Sequence, residues 1–340
     1  MSDTVGLADL ADGAGQVSVD VSGRITNPLV LVDLDHADWE LAAKAVAALG
    51  SRTTVLVGLS SKPLPPVAAP LLEALTLTLA PSGPGASWVA GGKREIETIE
   101  ATVAASPTAS VTLSGVLPLT ARSDVPDGLV TESLAYSMLL AGPEFAAWRS
   151  GTPRRAVPVD DKPVLLERKG DDLSVVLNRP ARHNAFGRAV RDGLIEGLEL
   201  AASDRSISSV TLSGNGPSFC SGGDLDEFGT AHDLAMAHLV RLQQSAGLAV
   251  HRIAERVRVV VHGACVGAGI EVPAFASRIE AREGTWFLLP ELSMGLVPGA
   301  GGTVSIPRRI GRWRTAFMAL HGKPVDLETA LSWGLVDARE

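Results

Sequence analysis

The chain has 340 residues, 46% hydrophobic and 20% charged, with a formal net charge of −8. That length favours two domains and that composition a soluble globular protein, while the negative charge argues against nucleic acid or an anionic membrane as partner. The acidic start MSDTVGLADLADGAGQ is no secretory signal, and no apolar run reaches transmembrane length. Two cysteines, Cys220 and Cys265, are too few for a disulfide framework and sit in no metal-ligand pattern, so a cytoplasmic protein without a metal site is expected.

Residues 1–26 carry no clear periodic pattern. Residues 29–34 then read as a strand, and Asp38 as the N-cap of a helix over 39–49 that Gly50 ends. A second strand covers 54–59, and a proline-, serine- and glycine-rich stretch over 61–92 surrounds a short helix at 67–75. Gly92-Lys93 fails as a phosphate loop, because Ser87 and Arg94 stand where the motif needs glycine and Ser/Thr. Residues 110–113 read as a third strand and 131–140 as a helix. The polar stretch 149–162, with two prolines, marks a domain boundary that divides the chain into 1–156 and 157–340.

The second half repeats this order: strand 173–178, helix 188–202, strand 207–213, the loop GNGPSFCSGGD at 214–224, a long helix 233–255 and a β-branched strand 257–261. TVLVGLS at 54 resembles SVTLSG at 209, SVTLSG at 110 resembles VVVHG at 259, and SMLLAGPEF at 137 resembles FMALHGKPV at 317. The near-constant spacing points to an internal duplication, with a degenerate first α/β copy that has lost the glycine loops.

Chemistry concentrates in 261–303, VHGACVGAGIEVPAFASRIEAREGTWFLLPELSMGLVPGAGGT. Gly263, Gly267 and Gly269 permit tight turns, and the small residues 270–276 suit a helix whose free N–H groups favour a developing negative charge. Glu271 and Glu291 flank this element, and a glycine-rich loop over 295–302 closes it. The glycines also fit the pattern of short-chain dehydrogenases. Those enzymes place it after the first strand and need Tyr-x-x-x-Lys, whereas the only tyrosine, Tyr136, has Leu140 four residues on. No serine sits in a G-x-S-x-G elbow, and Cys220 has no adjacent base.

VVLNRPARHNAF at 175, FCSGGDL at 219, GACVGAGIE at 263 and LPELSMGLVPGAGGT at 289 together resemble the crotonase (enoyl-CoA hydratase/isomerase) superfamily, from about residue 163 onward. The resemblance implies an α/β fold with a crotonase-like ββα superhelical core. It implies that the amides of Gly223 and Ala268 form an oxyanion hole, Ala268 replacing a common glycine. Glu271 would activate water adding at C3, and Glu291 would deliver a proton toward C2. Ser221 and Gly222 would contact the CoA adenine, with Arg182 and Ala185 beside the same nucleotide; Asp224, Gly267 and Gly299 complete the implied substrate set.

The implied reaction is hydration of a 2-enoyl-CoA, with no metal or redox cofactor and coenzyme A entering as part of the substrate. Isomerisation, thioester hydrolysis and non-catalytic acyl-CoA binding are the alternatives. The family implies a homo-oligomer, or a heteromer with another enzyme. Family members continue past the segment resembling GKPVDLETALSWGLVD with helices that cover the acyl pocket, so the first half or a partner chain is expected to supply that surface.

Overall fold

The computed structural model describes residues 4–50, 54–156 and 162–340. In the first half, β1 (Thr4–Val5), α1 (Leu7–Ala11), β2 (Leu29–Asp33), α2 (Ala42–Leu49), β3 (Val55–Leu59), α3 (Ala69–Ala74) and β4 (Leu77–Leu79) build a four-stranded parallel sheet, ordered β1-β2-β3-β4. Its alternation is visible side chain by side chain. Leu29, Leu31, Val55 and Val57 join one apolar cluster, and Val30, Val32 and Leu56 join the other, so both faces are covered, as a parallel sheet requires. Asp38 accepts from Glu40 N–H at 3.1 Å to start a 3-10 turn that runs into α2, and Gly50 ends that helix. The unpatterned stretch 1–26 nonetheless carries β1 and α1.

Four helices follow: α4 (Lys93–Ala105), α5 (Pro107–Thr120), α6 (Val125–Leu140) and α7 (Pro143–Ser150). The strand expected at 110–113 is therefore helix. Residues 110–115 and 209–214 have the same sequence, SVTLSG, yet the first lies in α5 and the second is a strand. The flanking residues decide between them. In α5, Ser110, Leu113, Ser114 and Leu117 are buried with helical spacing behind Pro107; in 209–214, Val210 and Leu212 are buried with period two. The proposed match of 110 to the strand at 259 fails on this difference, and with it the spacing argument for a duplicated copy.

The second half comprises β5 (Val164–Lys169), β6 (Asp172–Leu177), α8 (Arg188–Ser203), β7 (Ser209–Gly214), α9 (Leu234–Gln243), α10 (Ala246–Arg252), β8 (Val257–Val261), β9 (Ala264–Val266), α11 (Ala268–Glu271), β10 (Arg278–Ala281), β11 (Trp286–Leu288), α12 (Gly302–Ile310), α13 (Arg312–His321), β12 (Val325–Asp326), α14 (Leu327–Trp333) and β13 (Ala338–Arg339). A six-stranded sheet runs β13-β10-β8-β7-β6-β5, parallel except for the β5–β6 hairpin, and a three-stranded sheet runs β12-β11-β9. The chain thus leaves one sheet at β8 and enters the other at β9 within a few residues, which creates the corner where the site forms.

Two helix expectations need correction. The long helix over 233–255 breaks between α9 and α10, where Ser245 caps the second piece by accepting from Leu248 N–H at 3.1 Å. The helix over 270–276 is one α-turn, α11, followed by a 3-10 turn Pro273–Phe275, since Pro273 has no N–H to continue it. One large apolar cluster draws residues from both halves, and α6 packs against α9 and α12. The boundary expected at 156/157 touches residues 157–161, which lie outside the described residues. Among the described residues no helix is long and apolar enough to cross a membrane.

Candidate active site

Two backbone turns meet at the corner between the sheets. Cys220 and Cys265 form a parallel bridge, with Val266 N–H donating to Cys220 O at 3.0 Å. This brings the loop after β7 against the turn after β9. Gly267 (φ +49°) makes the closest approach: a Cβ there would lie 2.5 Å from Glu291 Oε1, 3.5 Å from Glu271 Oε1 and 3.7 Å from Gly222 Cα. Both carboxyl groups therefore face the same small volume. Among the described residues, the N–H groups of Gly223 and Ala268 meet no acceptor, and both residues line the adjoining cavity. Because α11 is a single turn, these individual amides, rather than a helix dipole, are the available donors.

The carboxylates are held differently. Glu271, 2% exposed, accepts from Ala300 N–H (2.8 Å) and Gly302 N–H (2.9 Å) through Oε2. Burial pushes its carboxyl up to about 7, against the pull of those amides. Glu291 opens a 3-10 turn, Glu291–Met294, and its buried Oε2 has no partner among the described residues. Burial, then the charge of Glu271, holds Glu291 well above the usual carboxyl range. A third acid, Glu132, arrives from α6. It accepts from Gly301 N–H at 2.7 Å, Thr303 N–H at 2.8 Å and Thr303 Oγ1 at 2.7 Å. Burial, then the charge of Glu271, pushes it up to about 8. Sequence reading placed a helix over 131–140 but gave Glu132 no role; the available signal was a single acid in that otherwise uncharged stretch.

The cavity measures about 520 Å³. The expected residues Glu271, Glu291, Gly223, Ala268, Asp224 and Gly299 line it, whereas Arg182, Ala185, Ser221, Gly222 and Gly267 do not. Arg182 is engaged by carboxylates, at 2.7 Å from Asp224 and 2.7 Å from Asp226. Asp224 is 1% exposed and also pairs with Arg179 at 3.3 Å. Ser221 is exposed and donates its N–H to His183 O at 2.9 Å. The first half contributes a wall, as one of the two expected sources of that surface, through a residue the sequence reading did not assign to it: Tyr136 lies so close over Gly299 that a Cβ there would be 2.4 Å from the ring. The Arg241 guanidinium sits 4.7 Å from the centre of that ring and donates to Ser137 Oγ at 2.8 Å. Both cysteines are buried, and burial pushes the Cys220 thiol up to about 12, as suits a thiol with no base beside it.

Such an arrangement can do acid–base chemistry on an electrophile. One carboxyl titrates near neutrality, a second holds its proton, and two unpaired amides wait beside them.

The family model for enoyl-CoA hydratase/isomerase matches residues 170–339. The chain is 34% identical over 173 residues to the 2,3-dehydroadipyl-CoA hydratase of Escherichia coli, covering 51% of this chain and 67% of that protein. It is 31% identical to the 1,2-epoxyphenylacetyl-CoA isomerase of the same organism, covering 48% and 64%. Against the crystal structure of an enoyl-CoA hydratase from Thermoplasma volcanium it gives a TM-score of 0.48 at 28% identity, covering 52% and 71%. The chain spans about two thirds of the length of these curated relatives, and the match occupies about half of the chain.

Proposed function

The chain belongs to the enoyl-CoA hydratase/isomerase family, and we propose that its cavity adds water across the double bond of a 2-enoyl-CoA thioester. The observation that carries this reading is the pair Glu271 and Glu291, facing one volume with unequal hold on their protons. Glu271, as carboxylate, takes a proton from water while the water oxygen bonds C3. The displaced electron pair moves to the thioester oxygen, where Gly223 and Ala268 N–H groups hold the enolate. Glu291 gives its proton to C2 as the enolate collapses. Glu271 then carries the proton taken from water and Glu291 the charge; transfer of that proton through solvent resets the pair.

Coenzyme A enters as part of the substrate, and the steps call on no metal or redox group. With Arg182 committed to two aspartates, the cavity-lining Arg188 is the cation assigned to its phosphates. Self-association, expected of the family, belongs to the same reading and is tested by light-scattering mass. A crotonase-fold isomerase is the second reading, favoured by the isomerase names among the relatives. Turnover in H₂¹⁸O separates the two: hydration yields a 3-hydroxyacyl-CoA carrying ¹⁸O, and a shifted double bond without label would contradict it.

A further inference from the structure

Four consecutive backbone amides divide themselves between two glutamates from opposite halves of the chain. Ala300 and Gly302 donate to Glu271 at 2.8 and 2.9 Å, and Gly301 and Thr303 donate to Glu132 at 2.7 and 2.8 Å. Thr303 Oγ1 adds a further bond to Glu132 at 2.7 Å. These amides open α12, where a helix leaves its N–H groups without internal partners. Here every one of the four is taken, in strict alternation, by a carboxylate that is 2% exposed.

From this interleaving we infer that Glu132 is a positioning residue for Glu271, fixing the turn whose two other amides aim the Glu271 carboxylate into the cavity. The inference rests on Glu271 acting as the base of the proposed hydration. Without Glu132, the Gly301 and Thr303 amides are buried and unpaired, and the turn must rotate to find acceptors. Rotation carries the interposed Ala300 and Gly302 N–H groups away from Glu271 Oε2. Glu132 lies 169 residues from Gly301 in sequence, so through this side chain the first half of the chain reaches the turn that holds the proposed catalytic group.

Geometry moves the Glu271 midpoint where the charge of Glu132 does not, which makes the inference testable. The ionisable groups around the pair are Glu291, Tyr136 and Arg241, with Cys220 facing Glu271. Glu132, pushed up to about 8, still largely keeps its proton where Glu271 titrates at about 7, so a neutral replacement by itself leaves that midpoint in place. Losing two amide donors raises it. A positioning role therefore shows as a rise, and a Glu132 that does not hold the turn as no shift.

The experiment is an infrared titration of the carboxylic C=O band in ligand-free protein, with Glu271→Gln identifying the band, applied to Glu132→Gln and to Thr303→Val. Thr303→Val removes only the hydroxyl donor and reads the same midpoint should Glu132→Gln not fold. The expected result is an upward shift of the Glu271 midpoint, smaller in Thr303→Val. In the enoyl-CoA assay, kcat should fall about 10- to 100-fold in Glu132→Gln, with KM changed far less. A Glu271 midpoint that falls or stays fixed in the folded variants overturns the inference. The titration needs no turnover, so it decides the role of Glu132 even where hydration of every thioester fails.

Discussion

Gly267 and Glu291 are in contact that leaves no room for a side chain between them. A Cβ on Gly267 would sit 2.5 Å from Glu291 Oε1, on a backbone whose φ of +49° already disfavours any L side chain. Gly267→Ala should cost about 1–3 kcal/mol of stability from the backbone alone. Displacement of Glu291 should lower kcat about 100-fold. Urea unfolding and steady-state kinetics read the two effects separately; a variant with full activity would mean that Glu291 can move without consequence.

The raised carboxyls give stability a defined pH dependence. Glu271 and Glu132, at about 7 and about 8 when folded, keep protons that the unfolded chain releases near 4.5. The folded state binds more protons across that window, so stability is highest at its acid end and falls as pH rises toward about 8. The slope is up to about 1.4 kcal/mol per pH unit for each group. Asp226, held low chiefly by the Arg155 N–H, is ionised in both states there and adds no slope. Melting temperature should drop between pH 5.5 and pH 8, and Glu271→Gln should flatten the drop. An unchanged pH dependence in that variant would contradict the assignment.

Asp224 is the hinge of a buried ion network, accepting from Arg179 at 3.3 Å and Arg182 at 2.7 Å. Asp224→Asn leaves two cations facing a neutral amide and should destabilise the protein by about 3 kcal/mol. Urea denaturation measures it. A loss under about 1 kcal/mol would show that the pairing adds little beyond solvent-exposed ion pairs.

Tyr136 brings the first half of the chain into the cavity wall. Tyr136→Ala removes the ring that covers Gly299 and enlarges the cavity on that side. The ratio of kcat/KM for a bulky over a short 2-enoyl-CoA should rise about tenfold, within what pocket size alone can discriminate. An unchanged ratio would place the acyl group elsewhere.

Local signals were readable and long-range ones were not. The Asp38 cap, the Gly50 stop and the alternation of Leu29, Val30, Leu31 and Val32 follow from nearest neighbours, and the structure carries them as expected. The meeting of Glu271 and Glu291 was legible because glycine turns and acids occur together in a family-like order. The identical SVTLSG stretches show where local reading ends, since each takes its conformation from the face it must bury. Ser245 broke the expected long helix because a cap outcompetes a continuous apolar face there. Glu132 was invisible for a related reason: its role depends on α6 docking against a turn far along the chain, which no periodicity encodes.

The most direct test of the proposed hydration is loss of enone absorbance for a panel of 2-enoyl-CoA thioesters, short to bulky, in wild-type protein and in Glu271→Gln, Glu291→Gln and the double variant. Each single variant should lose about 10²- to 10⁴-fold. The double variant should fall little further, because the two groups act as a unit. Turnover that persists in the double variant would contradict the assignment of both glutamates.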